Sequence, residues 1–176
     1  MTQQNFLKLV EKRRSVRAYK PDEVPEDLLH RVLEAGHLAP SACNKQPWRF
    51  IVVRDELNRR ALGTAFAREW FWKAPVILVV CILPGEAWTR PYDGQNYAWV
   101  DGAIAMDHIT LAAAELDLGT CWIGAFDPAA LRETLNLPDG VEVVGMTPLG
   151  FPNVEPQARA RSRRPLGETV MKERWS

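Results

Sequence analysis

Two runs of residues in this chain have the types and spacing needed to bind an anion. Residues 12–17, KRRSVR, place four cations and a hydroxyl within six positions, and residues 159–164, RARSRR, contain four arginines. Arginine can bind phosphate oxygens through two parallel hydrogen bonds, and a serine hydroxyl adds a neutral donor. Both runs are therefore candidates for a phosphate site.

Each basic run also has a structural interpretation. The first lies at the end of a predicted helix, where its charges could face solvent or interact with the helix dipole. The second could be a solvated tail. Because the formal net charge of the chain is +0, two local excesses of positive charge favour a small anion. Nucleic acid would need a broader basic surface, so it is not an expected partner.

A third candidate is the loop APSACNKQPW, residues 39–48, which combines two carboxamides, a thiol and an indole. This composition is typical either of a polar turn or of a site for a flat ligand rich in hydrogen-bonding groups. Cys43 lies near Lys45, which leaves nucleophilic catalysis as a minor alternative. No histidine follows at a spacing known for cysteine hydrolases.

Other site types have little support in the sequence. The three histidines, His30, His37 and His108, lack metal-ligand spacing with cysteines or acids, so no metal site is expected. Neither a GxGxxG fingerprint nor a P-loop occurs. Gly124 in WIGAF either marks only the end of a strand or lets a backbone N–H approach a ligand closely.

The hydrophobic pattern predicts the elements that position these residues. Helices are expected over about 2–13, from Pro25 to before Pro40, and over 57–66, 100–118 and 128–136. Strands are expected over 48–55, 75–83, 120–126 and 141–151. Gly119 is the predicted C-cap of the long helix, and Asp127 the N-cap of the next. Helices and strands without strict alternation predict an α+β fold with a mostly antiparallel or mixed sheet.

Length and composition bound the class of protein. The chain has 176 residues, of which 47% are hydrophobic and 25% charged, and it contains no linker or repeat, so 1–176 is expected to form one domain. Its three cysteines are widely spaced, which argues against a disulfide framework. The longest apolar run, 74–84, is too short to span a bilayer, and no signal peptide is evident. These features predict a cytoplasmic protein without a membrane partner.

Five motifs together resemble the nitroreductase family of FMN-dependent oxidoreductases. They are RRSVR, APSACNKQPW, LAAAELDLGTCWIGAF, PLGFP and RSRRPL, in the family's order over nearly the whole chain. The resemblance implies a central sheet flanked by helices, in an intertwined homodimer with FMN at the subunit interface. It also implies a ping-pong cycle, in which NADH or NADPH gives a hydride to FMN and the reduced flavin passes electrons to a small acceptor, such as a nitroaromatic or a quinone.

The resemblance also implies a set of FMN-binding residues: Arg13, Arg14, Ser15, Arg17, Pro40, Ser41, Ala42, Asn44, Gly124, Ala125, Arg161 and Arg163. The two basic groups would hold the phosphate, with Arg13 and Arg17 alternatively beside the pyrimidine edge. The loop at 40–44 would approach the flavin from the other subunit, and the backbone at 124–125 would lie near flavin N5. No protein nucleophile is implied, because the cofactor carries the chemistry.

Some features depart from the family pattern and leave the substrate open. The region 68–96 has little room for the helical insertion that covers the substrate in larger members. Asp107 and His108 stand where many members carry two amides. The alternatives are a flavin-binding carrier or sensor without efficient turnover, and the family branch in which flavin reacts with oxygen, as in the synthesis of a cobalamin ligand.

Overall fold

Helices and strands follow one another irregularly, as expected of an α+β protein. The structure is a computed structural model that describes residues 3–153 and 162–175. The α-helices are α1 (Gln3–Lys12), α2 (Glu26–His37), α3 (Glu56–Ala61), α4 (Glu69–Trp72), α5 (Ala98–Glu115) and α6 (Pro128–Leu135). The strands are β1 (Trp48–Val53), β2 (Val76–Ile82), β3 (Gly119–Thr120) and β4 (Glu142–Gly150).

The four strands form one sheet in the order β1-β2-β4-β3, and all the pairs are antiparallel. Every residue of β2 is buried, so both faces of the sheet are covered. Because side chains alternate along a strand, Leu78 and Val80 pack with α2 and α5, whereas Ile77 and Val79 pack with α6 and the 62–71 segment. The predicted α+β fold with a flanked, antiparallel sheet is confirmed.

Helix α5 packs closely against this sheet. Gly102 lies so near to it that an added Cβ would be 2.6 Å from Ile82 Cγ2 and 2.7 Å from Val144 Cγ2. At 1.5 Å per residue, the 18 residues of α5 extend for about 27 Å. The helix therefore runs along much of the molecule, and its two ends can hold different parts of a site.

The prediction for the end of α5 is wrong. Gly119 is not a helix cap: α5 ends at Glu115, and Asp117 instead takes up the left-handed conformation, with φ 59°. Gly119 belongs to β3, where Val16 packs so closely that a Cβ at Gly119 would be 2.8 Å from Val16 Cβ. The steric requirement at this glycine is therefore tertiary.

The strand predicted over 120–126 is also shorter than expected. Pairing stops after Thr120, because the Cys121 N–H donates to the Thr147 side-chain oxygen instead of to a backbone carbonyl (3.0 Å). Pairing resumes at a single bridge between Ile123 and Met146. The segment still runs antiparallel beside β4, so it reaches the same end of the sheet that a longer strand would have reached.

Local capping signals were more dependable. Asp127 caps α6, accepting from the backbone N–H groups of Ala129 and Ala130, as predicted. The helix predicted over 57–66 divides into α3 and a 3₁₀ turn at Leu62–Thr64, and the short α4 was not predicted. Over the described ranges 3–153 and 162–175, no helix has the length and apolar character required to cross a membrane.

Candidate functional site

The connector 13–17 joins α1 to the sheet and splits its side chains between two directions. Ser15 pairs with Thr120 as a parallel bridge, and the Val16 N–H donates to the Thr120 carbonyl oxygen (2.8 Å). Side chains of an extended segment alternate. Accordingly, the side chains of Arg13, Ser15 and Arg17 all lie close enough to Cys121, the residue after β3, to lower the pKa of its thiol. The structure thus brings three predicted site residues together.

Arg14 lies apart from that group. It lines a cavity together with Lys12, Val16 and Lys20. Arg14 is the third cation of the connector, and alternation along an extended segment places it on the side opposite Arg13, Ser15 and Arg17.

Several contacts fix the connector against the rest of the fold. The Tyr19 hydroxyl donates to the Val16 carbonyl oxygen (2.6 Å), and burial raises the pKa of Tyr19, which keeps this donor protonated. Lys12 forms an ion pair with Asp117 just after α5 (2.7 Å). These contacts hold the cations of the connector at the C-terminal end of α5.

Cys121 forms the base of the group made by Arg13, Ser15 and Arg17. It is 2% exposed, and burial raises the pKa of its thiol, although the nearby Arg17 cation opposes the shift. A protonated, buried thiol is a poor nucleophile. The three cysteines are free thiols, and only Cys43 is exposed.

The loop at 40–46 has an unusual backbone that is held by hydrogen bonds. Cys43, Asn44 and Gln46 have φ of 51°, 54° and 51°, in the left-handed region that favours glycine. Ser41 Oγ accepts from the Gln46 N–H (2.9 Å), and Asn44 Oδ1 accepts from Gln46 Nε2 (3.0 Å). The Ser41 O–H and the Asn44 NH₂ are not used in these bonds, so both can donate to a ligand.

Asp101, in the first turn of α5, fixes the centre of this loop. Its Oδ1 accepts from the Ala42 N–H (2.9 Å). The residue is 1% exposed, and its Oδ2 has no hydrogen-bond partner among the described residues. Burial raises the pKa of the Asp101 carboxyl, and the Ala42 N–H partly opposes this.

Gly124 and Ala125 are exposed, beyond the bridge that Ile123 makes with β4. A Cβ added at Gly124 would meet no atom within 4 Å, so open space lies beside this backbone. Gly124 also borders a cavity of about 480 Å³, whose walls include Trp99 and Phe126. A planar group could lie against the backbone here.

The structure does not bring all the predicted residues to one place. The loop is bound at Asp101, whereas the connector is bound beside Asp117 and Thr120, after the other end of α5. Glu115, at the end of α5, lies fourteen positions after Asp101, which corresponds to roughly 20 Å along the helix. Arg163 is exposed in the C-terminal segment, and Arg161 lies outside the described residues.

Metal binding has no structural support in the part of the chain that is described. No group of three or more histidines, cysteines and acids could hold an ion there. His108 Nδ1 lies 3.2 Å from the Ala35 carbonyl oxygen, so this histidine links α5 to α2.

Sequence reasoning missed Asp101, although a signal was present. The residue is an acid within a helix whose other buried positions are mostly alanine, glycine and larger apolar residues. A charge at such a position requires a partner, and the nearby polar loop could have supplied one. Tyr19 was also missed, and nothing in its sequence context identifies the Val16 carbonyl as its acceptor.

The chain is similar to known proteins over most of its length. Residues 10–70 and 63–151 match the Nitroreductase family. The chain belongs to this family. It is 35% identical over 174 residues to a Thermus thermophilus protein named NADH dehydrogenase, with 82% of this chain and 85% of the relative covered.

Solved structures of other nitroreductase family members agree. A member from Clostridium difficile 630 has a TM-score of 0.90 and 33% identity, with 97% of this chain and 99% of that chain covered. A nitroreductase-type structure from Desulfovibrio desulfuricans, solved in complex with FMN, has a TM-score of 0.82 and 29% identity, with coverage of 99% and 100%. The similarity therefore extends over whole chains.

The buried carboxyl of Asp101 gives this nitroreductase family member a pH-dependent stability. Its pKa in the folded chain lies above that of an unfolded aspartate, about 4, so its ionisation opposes folding as the pH rises through the folded value. Asparagine keeps an oxygen that can accept from the Ala42 N–H and carries no charge. We expect Asp101→Asn to melt at or above the wild-type temperature at pH 8, and the difference to shrink toward pH 4.

Thermal unfolding of both proteins across this pH range measures the effect. A variant that melts well below the wild type at pH 8, with a gap that does not change with pH, would contradict it.

Proposed function

We propose that the protein is an FMN-dependent oxidoreductase that takes a hydride from NADH or NADPH and reduces a small acceptor, such as a nitroaromatic or a quinone. The observation that carries the proposal is the convergence of Arg13, Ser15 and Arg17 beside Cys121, at the start of the segment that leads to the open backbone at Gly124. The relative named NADH dehydrogenase and the neighbour in complex with FMN support it.

The residues present fit the phosphate of FMN. A phosphate monoester carries nearly two negative charges at neutral pH and has three acceptor oxygens. Two guanidinium groups and a hydroxyl on one side of the connector match that demand. We place Arg163 and Arg161 with them as further cations. Arg14, on the other side, would add positive potential without direct contact.

The residues also fit the ring system. Thr120 to Gly124 is four residues of nearly extended chain, or about 13 Å, so the segment leads from the basic connector to the open backbone. In the proposal, the backbone N–H groups of Gly124 and Ala125 face flavin N5. When bound, FMN supplies the hydride-accepting ring, and this chain holds and orients it.

The separation along α5 supports a homodimer with shared sites. The loop and the connector lie at opposite ends of a helix that spans roughly 20 Å between them, so the loop of one chain is distant from the connector of the same chain. We propose that Pro40, Ser41, Ala42 and Asn44 of a second copy approach the flavin bound by the first.

Helix α5 also presents a surface suited to such a dimer. Trp99 and Val100 are 51% and 46% exposed, and the half-buried Ile104 and Leu111 continue an apolar stripe from Val100 with helical spacing, interrupted by the exposed Asp107. Exposed apolar residues arranged in this way are typical of interfaces. An antiparallel pair of such helices would place the loop of each copy near the connector of the other.

The test of the function is an anaerobic titration. We expect the purified protein to show a flavin spectrum, or to take up added FMN, and its visible absorption to bleach within seconds of adding NADH or NADPH. The faster nucleotide identifies the donor, and reoxidation by a nitroaromatic or a quinone identifies the acceptor class. A protein that binds no FMN would overturn the proposal. Bound FMN that neither nucleotide reduces would favour a carrier or sensor, and a flavin breakdown product in air would favour oxygen chemistry.

The two sides of the connector give a matched pair of variants. We expect Arg17→Ala to weaken FMN binding about tenfold or more, because a charge-assisted hydrogen bond to the phosphate is lost. Arg14→Ala should change the affinity by less than about threefold. Quenching of flavin fluorescence measures both, with melting temperatures as a check on folding.

Equal losses from the two variants would contradict the assignment of sides. A separate measurement, the flavin reduction potential of Arg17→Ala, distinguishes the two positions expected for Arg17. An unchanged potential places Arg17 at the phosphate, whereas a lowered potential places it beside the pyrimidine edge, where it would stabilise the reduced ring.

The shared site is tested by mixing two defective chains. One carries Arg17→Ala and the other carries Ser41→Ala with Asn44→Ala, so each alone should bind FMN weakly. If sites are shared, a mixed dimer has one site with both defects and one intact site, so about one site in four recovers wild-type affinity after random exchange of subunits. No recovery, in a mixture shown to exchange subunits, would place each site within a single chain.

A further inference from the structure

We infer that Asp101 is a positioning residue for the flavin-binding loop: its buried carboxyl, bonded to the Ala42 N–H, holds residues 41–46 in the conformation that presents Ser41 and Asn44 to the cofactor. The inference rests on the proposed function. It adds a residue that affects FMN binding through the conformation of the loop, without contacting the cofactor. Asp101 itself is buried and would not touch the flavin.

The first argument is that the backbone conformation of the loop is unfavourable unless a contact with another element holds it. Cys43, Asn44 and Gln46 all have positive φ, and none is glycine. Such a backbone persists only where surrounding contacts determine it. The bonds from Gln46 to Ser41 and Asn44 lie within the loop, so they shape it without joining it to another element. The Ala42–Asp101 bond joins the middle of the loop to a long helix.

The second argument is that Asp101 is poorly explained by stability alone. Its Oδ2 is buried and has no hydrogen-bond partner among the described residues. A polar atom in this situation destabilises the fold relative to an apolar side chain of similar size. The neighbouring buried positions, Ala98 and Ala105, show that small apolar residues fit this face of the helix. The carboxyl therefore costs stability, and what it provides is the direction of the loop.

The third argument concerns where the loop must point. Trp99 and Val100, on the same turn of α5, are exposed on the face proposed to meet a second copy. A bond from this turn to the loop fixes the loop relative to that face. The loop is proposed to reach the flavin of the other copy. Its direction must therefore be fixed closely enough for Ser41 and Asn44 to meet the distance and angle limits of hydrogen bonds.

The experiment compares variants that break the bond from either side. Asp101→Ala removes the acceptor. Ala42→Pro removes the N–H donor and leaves the carboxyl in place; Ser41, with φ −138° and ψ 157°, has a backbone that tolerates a following proline. Asp101→Asn retains an acceptor oxygen. Thr110→Ala, which removes a buried hydroxyl further along α5, serves as the control for general destabilisation.

Two readouts are taken for each variant. The first is FMN affinity, from quenching of flavin fluorescence. The second is the rate of tryptic cleavage after Lys45, an exposed residue within the loop, measured without FMN. We expect Asp101→Ala and Ala42→Pro to weaken FMN binding about tenfold and to speed cleavage at Lys45. Asp101→Asn should stay within about threefold of the wild type in both, and Thr110→Ala should leave both unchanged.

Failure of this inference and failure of the proposed function give different results. If the wild type takes up no FMN, the function fails, and cleavage at Lys45 alone decides the role of Asp101. If the wild type binds FMN and the bond-breaking variants match it in affinity and cleavage, the inference is wrong. It is also wrong if Asp101→Asn is as defective as Asp101→Ala, or if Thr110→Ala produces the same changes. Should Asp101→Ala fail to fold, the rate of cleavage at Lys45 in Ala42→Pro carries the test, because that readout is taken without FMN.

Discussion

The close approach of α5 to the sheet at Gly102 determines how the rest of the molecule is arranged. With Ile82 and Val144 less than 3 Å from the position of a Cβ, this close contact requires a glycine and favours the orientation of the helix that places Gly102 against the sheet. That orientation turns Asp101 inward beneath the 41–46 loop and turns Val100 outward. A rotation by one residue, about 100°, would exchange these roles. The loop, the helix and the apolar stripe therefore have a single geometric relation to one another.

Ion pairing and side-chain alternation together explain how positive charge can be concentrated in a chain without net charge. Lys12 is neutralised by Asp117, and several surface cations have acidic partners, as in the pairs Arg49–Glu86 and Arg60–Glu56. The connector instead directs Arg13 and Arg17 toward Cys121, whose protonated thiol supplies no charge. Positive potential is thus preserved where an anion is proposed to bind. The alternation of side chains along the connector is enough to place Arg13 and Arg17 on the same side.

Those parts of the fold that depend on local chemistry could be predicted from the sequence. Asp127 with Pro128 at a helix start, and the uninterrupted apolar run of β2, indicate their structures without knowledge of distant residues. Gly119 could not be interpreted correctly, because its lack of a side chain serves the packing of Val16, more than a hundred residues earlier in the chain. The early end of β3 depends likewise on the Thr147 hydroxyl. Of the candidate site, the convergence of Arg13, Ser15 and Arg17 follows from the spacing, whereas Asp101 depends on a loop 59 residues away in sequence.

The length of α5 also limits how a chain of this kind can change. Loops on the surface, such as the one between α6 and β4, tolerate added or lost residues because nothing beyond them must keep its orientation. An insertion or deletion of one residue within α5 would turn everything after it by about 100° relative to everything before it. The basic connector, held at one end, would then no longer match the loop held at the other. Selection should therefore act on the number of residues in this helix as strictly as on any single side chain in it.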